Sequence, residues 1–299
     1  SQIIILTILK LLSCKKPSIM NNSTLNIGIT FWIIGAITFS NYAWASPEEN
    51  LKKLKSLYST GNIYLQNGQF KNALESFKKA LRPARELGNE EDLAHIFDKI
   101  GSANFNLGRY AIAINHLNQA LKLSRRLNKK EDIARLLTKI GNTYLKNSEF
   151  DKAIESFQES LALSKAIGRN DLVGLNLNGI GIASQVQGKL KEAYSFFMKA
   201  LKVAREQKME ADIGRILANL ATIDMSWGKF EKAIPNFKKF LEISKRQKNS
   251  QGTAEAYLKL GVTHRSKGEN EKALFFIDKA QNIFEKTKNK GGLASIKYL

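Results

Sequence analysis

The sequence GNTYLKNSEFDKAIESFQESL, from Gly141 to Leu161, recurs at a fixed distance along most of the chain. Forty residues earlier stands GSANFNLGRYAIAINHLNQAL (Gly101–Leu121), and forty before that GNIYLQNGQFKNALESFKKAL (Gly61–Leu81). The same phase continues through Gly181, Ala221 and Gly261, giving six copies with no insertion between them. A constant period of this size builds a stack of identical small units, because one unit cannot bury its own apolar face. Such a stack grows along one axis, so the 299-residue length is no guide to domain number.

Each copy holds two amphipathic segments. In the third, Ile133, Leu136, Leu137, Ile140 and Tyr144 recur at helical spacing and predict helix A over about Lys130–Asn147. Phe150, Ala153, Ile154, Phe157, Leu161 and Ala162 predict helix B over about Glu149–Ala166. The short A-to-B loop usually carries glycine (Gly68, Gly108, Gly188, Gly228, Gly268), with Ser148 in the third copy. Loops this short make neighbouring helices antiparallel.

Small residues recur where helices should touch. Gly61, Gly101, Gly141, Gly181 and Gly261 lie inside helix A, where each costs roughly 1 kcal/mol against alanine. Repeating that cost at one phase implies a close backbone approach. A second small position holds Ala73, Ala113, Ala153, Ala193, Ala233 and Ala273; a third holds Ala80, Ala120, Ser160, Ala200 and Ala280. Large residues (Phe77, Leu117, Phe157, Phe197, Phe237, Ile277) should fill the remaining volume. Pro235 inside the fifth helix B should bend it and alter the curvature near residues 227–240, and Pro83 should bend or shorten the first.

The spacing of Gly141, Tyr144, Ala153, Phe157 and Ser160 resembles the tetratricopeptide repeat over about residues 48–288, with Leu137 or Phe97 where that family often has tryptophan. The family's late proline is replaced by Arg85, Arg125, Lys165, Arg205, Lys245 and Glu285, so helix B runs on and the unit has 40 residues. This is similar to a long-repeat branch found in bacterial signalling and scaffold proteins. The resemblance implies an all-α, right-handed superhelical solenoid of antiparallel pairs whose concave face is lined by helices A.

That resemblance also implies a partner-binding groove for a protein or peptide. Its lining would include Lys55, Tyr58, Asn62, Gln66, His95, Asp98, Asn106, Arg135, Thr138, Lys139, Asn142 and Lys146. Later copies would add Asn178, Gln185, Arg215, Thr222 and Arg265. These positions vary while the packing positions do not, as a recognition surface on a fixed frame would. Asparagine amides could pair with an extended peptide backbone, and the arginines with acidic or C-terminal carboxylates. Asn62, Arg135 and Lys139 fit the family's carboxylate clamp, but Tyr58 and Lys99 stand where it has lysine and asparagine.

No constellation for catalysis, cofactor or metal is evident. Gly179-Ile180-Gly181 with Ser184 is a poor dinucleotide fingerprint because both glycines fall within helix A. His95, His116 and His264 fall at different phases without a ligating neighbour at helical spacing. The chain is therefore expected to be a non-catalytic scaffold. The formal net charge of +20 is mostly lysine and is spread over every repeat, unlike the gathered charge of a nucleic-acid binder, so no nucleic acid is expected.

Residues 1–45 differ from the array: they carry three lysines and no acidic residue. The apolar run at 27–39 followed by Ala43-Trp44-Ala45 has the pattern of a secretory signal cleaved after Ala45. The chain is then exported, periplasmic or secreted, and would touch a membrane only if that segment stays uncleaved as an anchor. Met20 is a candidate start, and Cys14, the only cysteine, lies in a loose lipobox. The array is expected over 46–288, with residues 289–299 opening a seventh repeat that lacks a polar capping helix, as in part of a longer protein. Two other readings are the regulatory array of a longer effector, as in exported proteins with a caspase-like CHAT protease domain, and a cytosolic regulator with nucleic-acid contacts.

Overall fold

In the computed structural model, residues 46–297 are described. The signal, cleavage and lipobox readings lie outside them. The repeat array forms a compact unit from Leu51 onward. Thirteen helices and no strand occur among the described residues. Six A helices, α1 (Pro47–Gln66), α3 (Glu90–Asn106), α5 (Lys130–Lys146), α7 (Asn170–Val186), α9 (Glu210–Ser226) and α11 (Ser250–Ser266), alternate with six B helices. These are α2 (Phe70–Glu86), α4 (Tyr110–Arg126), α6 (Phe150–Ala166), α8 (Leu190–Glu206), α10 (Phe230–Arg246) and α12 (Asn270–Lys286); α13 (Lys290–Lys297) follows. No helix of the described residues is long and apolar enough to cross a membrane.

The punctuation is regular because its chemistry repeats. Every interhelical loop has three residues, and the middle one adopts positive φ: 71° at Gly68, 72° at Gly108, but also 62° at Ser148 and 53° at Asn128. The amide of the next residue closes the turn, as when Gln69 donates to the Tyr64 carbonyl at 2.8 Å. Asparagine starts some A helices: Asn89 Oδ1 accepts from the Glu91 and Asp92 amides, and Asn249 Oδ1 from the Gly252 amide.

From α2 onward each helix packs on the next, and A helices of successive pairs also touch, α5 with α7 and α9 with α11. Phe77, Phe157, Phe197 and Phe237 are fully buried. Burying each contributes about 2–3 kcal/mol. The helix-A glycines make room for these side chains more than for backbone. A Cβ on Gly61 would lie 2.6 Å from the Phe77 ring, one on Gly181 2.6 Å from the Phe197 ring, and one on Gly101 2.7 Å from Leu117. Backbone approach is secondary: the same added Cβ on Gly101 would lie 3.3 Å from the Ala113 carbonyl oxygen.

Neither internal proline shortens its helix. The helices that hold Pro83 and Pro235 keep the 17 residues of every other B helix. Pro235 is exposed, so the Glu231 carbonyl that loses its partner there can be hydrated.

Candidate partner-binding site

The helix-A face carries two adjoining hollows. One, about 550 Å³, is mainly apolar: Phe105 from α3, Leu145 from α5, and Ile182 and Val186 from α7, with Lys139 and Lys146 at its edge. The other, about 350 Å³, is the more polar of the two: among Leu175, Ile216 and Phe240 it gathers Asn142, Asn178 and Asn219 from three successive A helices beside Arg215 and Glu255. Asn142 and Ile182 line both. The Asn219 amide donates to Asn178 Oδ1 at 3.0 Å, which fixes one end of this row of amides.

The expected lining residues are spread over three hollows, and some line none of them. Asn142, Asn178 and Arg215 line the polar hollow, while Asn106, Lys139, Asn142 and Lys146 line the apolar one. Lys55, Tyr58 and His95 line a small third hollow of about 120 Å³ with Asp92 and Ile96. Asn62, Gln66, Gln185, Thr222 and Arg265 line none of the three. Asn62 instead bonds the Tyr58 hydroxyl, and burial together with nearby Asp98 pushes that phenol above its ordinary range. Thr222 turns its hydroxyl back to the Ala218 carbonyl at 2.9 Å.

Thr138 does not serve the groove. It is buried, 3.0 Å from the Ala134 carbonyl and from Asn176 Oδ1 and 2.9 Å from Ser160 Oγ. Asn176 Nδ2 completes the closed network by donating to Ser160 Oγ at 2.8 Å. In this copy the side chain three residues before the helix-A glycine turns toward helix B, and a polar group buried there needs internal partners.

Asp98 changes the meaning of the basic pair. Its side chain is 4% exposed and accepts from Lys139 Nζ at 2.6 Å and Arg135 at 3.3 Å, across the α3–α5 boundary. Lys139 also reaches Ser102 Oγ at 3.3 Å, and Arg135 reaches Asp132 at 2.5 Å. The two cations of the expected clamp are thus held by the chain's own carboxylate. Burial lowers the pKa of neighbouring Lys99 from the usual lysine range.

Asn219 is absent from the expected lining although it shares the repeat phase of Lys139; that phase was the available signal. Both Gly179 and Gly181 lie inside α7, against the Phe157 and Phe197 rings, with no strand before them. His264 Nδ1 is 2.6 Å from Glu269, and His116 stacks on Phe97. No group of metal-ligating side chains occurs among the described residues.

The family description MalT-like TPR region matches residues 108–291, more than half of the chain, and a tetratricopeptide-repeat description matches 53–126. The chain belongs to the tetratricopeptide-repeat family. No curated protein sequence matches it. Among solved structures, aspartyl phosphate phosphatase F from Bacillus subtilis is similar, with TM-score 0.70 and 16% identity over 99% of this chain and 78% of that one. A Rap protein complexed with competence and sporulation factor gives TM-score 0.62 at 15% identity, over 78% and 75% of the two chains. The STAND protein with a tetratricopeptide repeat sensor from Pyrococcus horikoshii gives 0.68 at 16% identity, over 83% of this chain and 39% of that one. At these identities the likeness concerns the fold of this tetratricopeptide-repeat chain.

Proposed function

We propose that this tetratricopeptide-repeat protein is a non-catalytic scaffold that holds an extended peptide or protein segment along its helix-A face. The carrying observation is the row Asn142, Asn178 and Asn219 beside an apolar hollow. Primary amides offer a donor and an acceptor together, which matches a peptide group, and the apolar hollow has room for a side chain. The similar Rap protein was solved complexed with a factor, which supports this mode. A carboxylate on the segment would have to displace Asp98 from Lys139 or meet Lys146, which has no ionic partner among the described residues. Export through the apolar run at 27–39 belongs to the same proposal.

The test is selection of a peptide library on the immobilised full chain, with recovered peptides measured by calorimetry against wild type and the variant Asn142→Ala/Asn178→Ala/Asn219→Ala. Loss of roughly tenfold or more in affinity, at unchanged circular dichroism, supports the groove. Equal binding by the two proteins removes this face as the site.

A second reading, a sensor array within a longer effector, is favoured by the similarity to the sensor-bearing STAND protein, of which this chain covers 39%. Finding further coding sequence for an effector domain in the same reading frame would decide for it.

A further inference from the structure

The positive charge, though present in every repeat, is not shared between the two helix types. The six A helices together carry a net −2 and the six B helices a net +10. The excess is densest on α8 and α10 with their flanking loops. Residues 189–208 and 229–248 hold thirteen lysines and arginines against four glutamates, and all thirteen cations are exposed.

Ion pairing leaves most of this charge open. Lys202 reaches Glu206 only at 4.0 Å, Lys239 pairs with Glu242 and Arg246 with Glu210. The other ten have no carboxylate partner among the described residues; Lys199, Lys229 and Lys245 lie over the rings of Phe196, Trp227 and Tyr257.

The repeat itself shows what neutralisation would look like. Arg125 on α4 meets Glu159 on α6 at 2.6 Å. The residues at these two positions in the next three copies are Lys165 and Lys199, then Arg205 and Lys239, then Lys245 and Lys279. An attractive bridge between neighbouring B helices is thus replaced three times by two like charges. Like charges there disfavour folding, so the stack gains nothing from them internally. A polyanion outside would make the arrangement favourable.

We propose that the exposed face of α8 and α10 docks on an anionic lipid bilayer. Eleven of the thirteen cations are lysines, whose long stems and compact charges suit a diffuse field of headgroups, whereas arginine is the fork that fits phosphates of nucleic acid. Met198 stands among them 47% exposed, an apolar side chain placed to enter the headgroup layer. This surface is separate from the helix-A face and does not depend on the peptide reading.

The experiment uses the full chain and sedimentation with two vesicle types, phosphatidylcholine alone and an equal mixture of phosphatidylcholine and phosphatidylglycerol. The quantity read is the ratio of affinities, since binding through the apolar run at 27–39 would be common to both. Wild type should prefer the anionic vesicles by roughly tenfold or more, and the preference should fall as salt rises. Lys199→Glu/Lys239→Glu, which restores the Arg125–Glu159 pattern, should abolish most of it without lowering the melting temperature. Met198→Ser alone should bind the anionic vesicles more weakly than wild type does. No preference in wild type, or an undiminished preference in the double variant, overturns the proposal. So does lysine-dependent binding of double-stranded DNA that is tighter than binding to the anionic vesicles, which would assign the face to nucleic acid.

Discussion

A Cβ added to Gly141 would lie 2.7 Å from the Phe157 ring, and one added to Gly179 would lie 2.6 Å from the same ring. The fully buried Phe157 ring is therefore packed against the backbones of two successive A helices. Gly141→Ala gains helix propensity but drives a methyl into a fully buried ring. Overpacking outweighs propensity, and we expect a net loss of about 1–2 kcal/mol in urea unfolding. Gly174 is the control within the same stack, because its added Cβ would meet Val203 at an ordinary 3.5 Å. Gly174→Ala should stabilise by up to about 1 kcal/mol. If both substitutions shift stability in the same direction, this packing does not explain the glycine phase.

Ser148 has φ of 62° at the loop position where Gly68, Gly108, Gly188, Gly228 and Gly268 stand in other copies. A side chain there costs about 1 kcal/mol that glycine does not. Ser148→Gly should raise the melting temperature of the array. Gly108→Ala, at φ of 72° with open space around it, should lower it for the backbone reason alone.

Period, helix limits and packing phase were legible because they repeat: helix α5 starts at Lys130 as its apolar spacing requires. The reason for the glycines was half legible. Sequence shows that a side chain is excluded but not by what, and the excluder is a side chain sixteen residues on, as Phe157 is from Gly141. Site residues were harder because one phase can face inward or outward. Thr138 turns in to Ser160 and Asn176, while Asn178, one repeat later, lines a hollow. Pairing between repeats, such as Asp98 with Lys139, joins residues forty-one apart and carries no local pattern. The segregation of lysines onto B helices was present in the sequence but hidden by counting charge per repeat instead of per helix.

Glu269 gathers hydrogen bonds from Lys267, Lys272 and His264, which hold its carboxyl down at about 2 from an ordinary 4.5. A group with a depressed folded pKa contributes stability above its unfolded value and loses it as pH falls toward the folded one. The melting temperature should therefore drop between about pH 4.5 and 2, and Glu269→Gln should flatten that drop while lowering the plateau at neutral pH. An identical acid limb in the variant would show that Glu269 is not a source of it.

Asp98 is buried between Lys139 and Arg135, whose side chains are 34% and 37% exposed. Removing the carboxylate leaves two cations that water only partly serves. With that partial exposure screening the charges, Asp98→Asn should cost about 1–2 kcal/mol. Lys139→Met alone should cost a similar amount, and the double variant less than the sum, with a coupling of about 1 kcal/mol. The same substitution should have the opposite effect on binding. Freed from Asp98, Lys139 and Arg135 can accept a partner's carboxylate, so a peptide selected by the groove should bind Asp98→Asn more tightly with a free C-terminus than wild type does. Its C-terminally amidated form should show no such gain. Tighter binding of both forms would mean that Asp98 acts by shape, and unchanged binding of both would place the peptide's terminus elsewhere on the helix-A face.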